Sequence, residues 1–367
     1  MHDTDALFLP FRHGVLELRN RIVMPAMTRN FSPGNVPGTN VLDYYRRRAT
    51  SVGLVITEGT CIGHPAANAF RDVPFIYGDE ALAAWKRIVA AVHAEGSRIV
   101  PQLWHTGSAR YPGAEPDPSV PAHTPSGLTQ SLEPYCHVMS ERDIGDVIDA
   151  FGQAAADARH AGFDGVEIHG AHGYLIDEFF WERSNRRSDR YGGSLENRSR
   201  FAAEIVQAVR RRVGRDFPVL FRWSQGKQQD YGARLVRNPQ ELERMLRPLC
   251  DAGVDIFDCS TRRYWEPEFG GSDLTLAGWT RVVTGRPTIA VGSVGLDREI
   301  FGEQPGRYQA ARPAGLDELV RRLSAGEFDL VAVGRALIAD PEWARKVREG
   351  AFDELQAFDK GKLRVLY

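Results

Sequence analysis

Cysteine is scarce and badly spaced for chemistry. Cys61, Cys136, Cys250 and Cys259 include no pair two or three positions apart, so the spacings that hold zinc or an iron–sulfur cluster are missing. Four thiols in 367 residues make no disulfide framework, and reduced thiols in a cytoplasmic protein are expected. No run reaches the roughly 18 apolar residues of a membrane span. Met1–Pro10 lacks the basic-then-apolar order of a secretory signal. Charge of one sign is missing too: 46 Lys and Arg against 48 Asp and Glu leave a net charge of -2. That favours neither nucleic acid nor an anionic membrane as partner. The local arginine runs, Arg46–Arg48 and Arg210–Arg212, fall inside helical patterns and read as solvated faces. No G-x-G-x-x-G follows a strand, and Gly292-Ser293-Val294-Gly295 does not fit it, which weakens an open, doubly wound sheet.

What is present is 43% hydrophobic and 26% charged, ordinary for a water-soluble enzyme. Eight short apolar runs bounded by turn residues predict strands: 21–27, 53–58, 98–103, 165–169, 218–223, 254–259, 287–291 and 329–333. Most are continuous rather than alternating, as parallel strands covered on both faces require. Helical patterns lie between them. Glu80–Glu95 repeats with a period near 3.6, and Ser140 with Asp143 predicts a capping box for a helix to about Ala161. Asn238-Pro239 and Asp340-Pro341 each predict a cap followed by proline at the first helical position. Arg200–Arg212 and Asp317–Ala325 are further helices. Eight alternating units without a second core-sized block predict one (β/α)8 TIM-barrel domain over residues 1–367, with Thr106–Met139 and Asp297–Pro313 as loop insertions. Chemistry is then expected just beyond the strand ends.

The residues there ask for explanation. The fourth strand ends in His169-Gly170-Ala171-His172-Gly173-Tyr174. The imidazoles are metal ligands aided by Glu167 or Asp177, incidental loop residues, or donors to a ligand oxygen with Tyr174 as proton donor. Arg222 lies within the fifth strand and needs either an internal carboxylate or an electron-rich ligand edge. Gly292 and Ser293 after the seventh strand, with Gly334 and Arg335 after the eighth, match a barrel phosphate site or are plain turn residues and a surface arginine. Gln102 at the end of the third strand and Thr28 after the first suit the edge of a planar heterocycle, with Met27 along its face.

Taken in order, Asn20–Arg29, Gln102-Leu103-Trp104, His169–Leu175, Ser184–Arg198 and Val333–Pro341 resemble the Old Yellow Enzyme family of FMN-dependent NAD(P)H oxidoreductases. The resemblance implies bound FMN, with NADPH or NADH as a transient hydride donor. It implies ping-pong reduction of a small-molecule substrate with an activated double bond, such as an enone, nitro compound or nitrate ester. Ala26, Met27, Thr28, Gly59, Gln102 and Arg222 then contact the flavin, while Gly292, Ser293, Gly334 and Arg335 cradle its phosphate. His169 and His172 grip the substrate oxygen, Tyr174 protonates the α-carbon, and Trp104 lines the substrate site. No metal is implied, and the cysteine-rich segment of larger, cluster-bearing relatives is missing. Two regions depart from the family pattern: Arg262–Phe269, unusually aromatic, and Asp297–Pro313. The resemblance chooses neither between NADPH and NADH nor between a monomer and a homo-oligomer. The competing reading is a metal-dependent barrel hydrolase or lyase built on His169 and His172; the lack of a His-x-His pair after the first strand and the presence of Arg335 count against it.

Overall fold

The computed structural model describes residues 4–299 and 309–367. Eight parallel strands close into a barrel in sequential order: β1 (Ile22–Met24), β2 (Leu54–Cys61), β3 (Arg98–Trp104), β4 (Val166–His172), β5 (Val219–Lys227), β6 (Ile256–Ser260), β7 (Thr288–Val291) and β8 (Leu330–Ala332). Closure is made where Val331 pairs with Ile22 and Ala332 with Val23. Every predicted strand is present. Helices follow the strands: α1 (Thr39–Ala49), α2 (Asp79–Ala94), α3 (Glu141–His160), α4 (Leu195–Val213), α5 (Pro239–Ala252), α6 (Leu276–Thr284), α7 (Asp317–Ser324), α8 (Arg335–Ala339) and α9 (Trp343–Glu349).

Side chains alternate across each strand, so every strand feeds two cores. Val23, Leu54, Ile56, Val100, Leu220, Ile256, Ile289 and Leu330 point inward and fill the barrel. Their neighbours Ile22, Val55, Ile99, Ile168, Phe221, Phe257 and Val331 point outward and pack with the helices. A hairpin of Phe11–His13 with Leu16–Leu18 brings Phe11, Leu16 and Leu18 into the inner cluster and plugs the amino-terminal end. An open depression of about 600 Å³ lies beside this hairpin, lined by Arg19, His93 and Arg98. It sits at the end away from the strand tips and holds none of the predicted chemistry.

The caps at Ser140 and Asn238 form as predicted: each side chain accepts the backbone N–H three residues on. Asp340 differs. It accepts from Glu342 N at 3.1 Å and from Lys346 Nζ at 2.8 Å, but α9 starts at Trp343, because Pro341 and Glu342 form a turn first. The arginine runs also need correction. Arg48 is fully buried, stacked 3.8 Å over the Tyr44 ring, and donates to Leu337 O at 3.0 Å. Arg210 donates to Gly253 O and Phe217 O and pairs with Asp255. Both are clamps between elements; within each run, exposed faces belong to Arg46, Arg47, Arg211 and Arg212. Of the insertions, residues 300–308 of Asp297–Pro313 lie outside the described residues. Thr106–Met139 forms a strap braced from within by Arg110, whose guanidinium donates to the carbonyls of Ala114, Glu115, Asp117 and Val120 and fastens the strap by also donating to Asn68 O.

At the carboxyl end of β5, Lys227 Nζ donates to Asp177 Oδ1 at 2.8 Å, with both side chains 0% exposed. The other Asp177 oxygen accepts Gly173 N at 2.6 Å, so this pair pins the turn after β4. Removing one member of such a pair strands the other charge, which costs about 3–5 kcal/mol. Lys227→Met should lose stability of that order in denaturant unfolding. Adding Asp177→Asn should restore part of it, since asparagine removes the charge and keeps an acceptor for Gly173. A single variant within about 1 kcal/mol of wild type would contradict the assignment.

Candidate active site

Alternation decides which polar side chains face into the barrel. With Leu103, Ile168, Phe221 and Phe257 outward, their neighbours Gln102, Glu167, Arg222 and Asp258 must point inward, above the last apolar layer. Gln102 Nε2 donates to Glu167 Oε1 at 2.7 Å. Arg222 donates weakly to Ala26 O and Ser260 Oγ, both at 3.3 Å, and its Nε is 3.6 Å from Asp258 Oδ2. Thus the internal carboxylate partner exists, but it does not satisfy the guanidinium: Arg222 Nε has no hydrogen-bond partner among the described residues. Burial, then the Asp258 charge, pushes the Glu167 carboxyl well above the usual range. Asp258 is also raised by burial, with Arg222 opposing the shift. One cation therefore faces two carboxyls that are reluctant to ionise.

The rim above this layer is aromatic. His172 and Gly173 adopt left-handed conformations, with φ of 66° and 81°, and this tight turn folds Tyr174 back over the strand end. The His169 ring lies 5.2 Å from His172 and 5.1 Å from Tyr174, and Trp104 lies 4.9 Å from Tyr174, between ring centroids. Gly59 is paired with Gln102 in the β2–β3 register, and a Cβ there would sit 2.3 Å from the Trp104 ring. The missing side chain makes room for this indole. His172 Nε2 meets Ser260 Oγ at 2.8 Å, while His169 Nδ1 is buried without a partner among the described residues. Burial pushes both histidines well below their ordinary range, reinforced for His169 by His172 and Arg222 and for His172 by Arg222 and Lys227. They are neutral. Burial pushes Tyr174 up to about 12, against the hydrogen bond that Gln228 Nε2 donates to its oxygen at 2.9 Å.

The metal reading loses its carboxylates here. Glu167 is engaged by Gln102, and Asp177 by Lys227 and Gly173. A third cluster forms between β7 and β8. Gly292 and Ser293 have φ of 145° and 52°, and Arg335 Nη2 donates to Ser293 Oγ at 2.9 Å. Arg335 Nη1 is buried with no partner among the described residues, and burial lowers this guanidinium to about 10. Gly334 faces Met27 Sδ, 3.3 Å from where a Cβ would stand. Thr28 is exposed on the loop beyond β1 and Ala26 is half-buried. Sequence reasoning missed Glu58, Ser260 and Gln228. Glu58 Oε2 accepts Arg29 N at 2.9 Å and Asn30 N at 3.2 Å, anchoring the loop that carries Thr28; its inward place on β2 was the available signal.

The buried atoms left over describe a ligand: a donor-seeking polar edge at Arg222, an acceptor at His169, and an anion at Arg335. FMN, a planar heterocycle with a phosphate tail, fits that donor set. The sequence matches the model of the NADH:flavin oxidoreductase / NADH oxidase family over residues 6–305. A rice (Oryza sativa subsp. japonica) 12-oxophytodienoate reductase 1 is 43% identical over 345 residues, covering 93% of this chain and 85% of that protein. An NADH oxidase of Thermoanaerobacter brockii is 35% identical over 95% of this chain. The chain spans only about half of that enzyme, 52% of its length. Among solved structures, morphinone reductase superposes with a TM-score of 0.80 at 30% identity, covering 97% of this chain and 92% of its own. With most of its length matched in sequence and nearly all of it in fold, this chain belongs to the NADH:flavin oxidoreductase / NADH oxidase family, the Old Yellow Enzymes, whose cofactor is FMN.

Proposed function

We propose that residues 1–367 form one FMN-binding unit that reduces activated C=C bonds, with His169, His172 and Tyr174 as its catalytic residues. The observation that carries this reading is the neutral His169–His172–Tyr174 set packed on Trp104 above the half-satisfied Arg222. FMN bound there would supply the hydride chemistry, with NADPH or NADH as the donor and the β-carbon of the substrate as the acceptor. Arg222 and Gln102 would hold the polar edge of that cofactor, Ala26, Met27, Thr28 and Gly59 would line it, and Gly292, Ser293, Gly334 and Arg335 would take its phosphate.

His169 and His172 donate N–H to the substrate's carbonyl or nitro oxygen, where charge develops as the β-carbon gains hydride. Neutral imidazoles suit this, since they donate without demanding a counter-ion. Tyr174 retains its proton until a carbanionic α-carbon is in reach, then transfers it. Gln228 steadies the phenolate that remains, and the Lys227–Asp177 pair fixes the turn. Nicotinamide and substrate take turns in one mouth; a solved relative, morphinone reductase, holds tetrahydroNAD. Trp104 forms one wall of that mouth. Next to it, a cavity of about 190 Å³ under the Arg262–Phe269 segment is lined by His172, Gln228, Tyr231 and Arg262, so this segment selects the substrate. A small molecule is the partner; among the described residues no helix is long and apolar enough to cross a membrane.

A general acid is worth about 10²–10⁴ in rate. Tyr174→Phe should therefore slow reoxidation by 2-cyclohexenone about 100-fold or more while leaving reduction by NADPH nearly unchanged in anaerobic stopped flow. Equal half-reactions in wild type and variant would remove Tyr174 from the mechanism. Because burial pushes the phenol up to about 12, the wild-type reoxidation rate should stay flat from roughly pH 6 to 9; a fall across that window would mean the donor titrates there. Charge-assisted hydrogen bonds are worth about 1.5–3 kcal/mol, so Arg222→Ala should weaken FMN binding about 10- to 100-fold. A variant that remains as yellow as wild type after dialysis would overturn the role of Arg222.

A further inference from the structure

A second histidine-rich cluster lies outside the mouth, where the strap meets α3. His105 Nδ1 accepts Gly107 N at 3.2 Å, so its proton is on Nε2, directed at His64 Nδ1 3.3 Å away. From His64 the column continues outward through His123, 5.4 Å away, to His137, another 4.6 Å on, between ring centroids. It ends where His137 Nε2 meets Asp143 Oδ2 at 2.9 Å. Local structure builds this arrangement. Two short parallel strands, His123–Thr124 and His137–Val138, pair His123 with His137 in register and bring both rings together. The capping box at Ser140 fixes Asp143 on the first turn of α3.

One ligand atom from each of His123, His137 and Asp143 can be chosen so that all lie within 4.8 Å of one another. His123 Nδ1 is buried and has no hydrogen-bond partner among the described residues. Two imidazole nitrogens and one carboxylate oxygen suit a borderline divalent cation, with a fourth position for water. The positive end of the α3 dipole opposes a cation by about 0.3–1 kcal/mol. The Asp143 charge lies closer and acts the other way. Asp143 Oδ2 is shared with Ser140 N and Oγ at 2.7 and 2.8 Å, which leaves Oδ1 for the ion without breaking the cap.

We propose that His123, His137 and Asp143 form a binding site for one zinc-class divalent cation that fastens the 106–139 strap to the start of α3. This site shares no ligand with the flavin mouth and is independent of the reaction assigned there. The strap carries its own consequence: Ser108 N donates to Glu178 Oε1 at 2.8 Å, and Glu178 follows the Tyr174 turn in the chain. A cation at the far end would stiffen a segment that borders the active site.

The test is zinc titration of tag-free, FMN-loaded full-length protein by calorimetry, with metal content after dialysis read by mass spectrometry. Wild type should retain one zinc per chain and unfold at higher temperature with zinc than with a chelator. His137→Ala, an exposed position whose replacement leaves the core intact, and His123→Ala should each bind zinc at least tenfold more weakly and lose the thermal shift. His172→Ala should bind as wild type does. Absence of zinc uptake by wild type would overturn the proposal. So would unchanged uptake by His137→Ala and His123→Ala, or uptake lost only in His172→Ala, which would locate the metal at the mouth instead.

Discussion

The guanidinium of Arg222 is the charge around which the barrel's upper half is arranged. Alternation along β5 leaves it no choice but to face inward, and the closed sheet denies it water. Its partners are two carbonyl or hydroxyl oxygens at the edge of hydrogen-bonding distance and a carboxylate slightly too far for a hydrogen bond. A buried cation whose hydrogen bonding is incomplete is costly, and an electron-rich ligand edge at Arg222 would complete the set. Glu167 and Asp258 answer the same constraint. Both are raised by burial, which limits how much negative charge faces Arg222.

Above that layer, desolvation works in the opposite sense and produces neutrality. His169, His172 and Tyr174 all favour their uncharged forms because little water reaches them. The proposed reaction needs donors that strengthen as charge develops in the substrate, and neutral donors in a dry pocket do so. The turn that brings them together is strained at His172, which is left-handed, while Gly173 takes the same region freely. It persists because a fully buried ion pair from β5 grips it through Asp177. The turn at the tip of β4 is thus held through Asp177 by a lysine fifty residues further on, Lys227.

Peripheral segments share this reliance on single polar anchors. Arg110 collects four carbonyls of the strap, and Arg29 Nη2 donates to Val365 O at 2.7 Å. The carboxyl-terminal residues, which showed no pattern in the sequence, are thereby held against the loop after β1. Arginine serves in each case because its fork reaches several acceptors at once.

How much of this was legible beforehand follows from how far each signal extends along the chain. The eight strands, their order and the inward set Gln102, Glu167 and Arg222 follow from apolar runs and period-two alternation, which are local. The His169–Tyr174 and Gly334–Arg335 segments were legible for the same reason: one short stretch carries several reactive groups at a strand end. What the sequence misassigned, or left silent, required two distant segments to meet. Arg48 looked solvated until α8 supplied the Leu337 carbonyl. Gly59 was expected beside the flavin, but that its missing side chain also makes room for the Trp104 ring was not legible. The Gln228–Tyr174 and Lys227–Asp177 contacts, and the column from His105 to Asp143, exist only because barrel closure and the strap's path set their separations. Composition and periodicity determine which way each side chain points; barrel closure alone decides what it finds there.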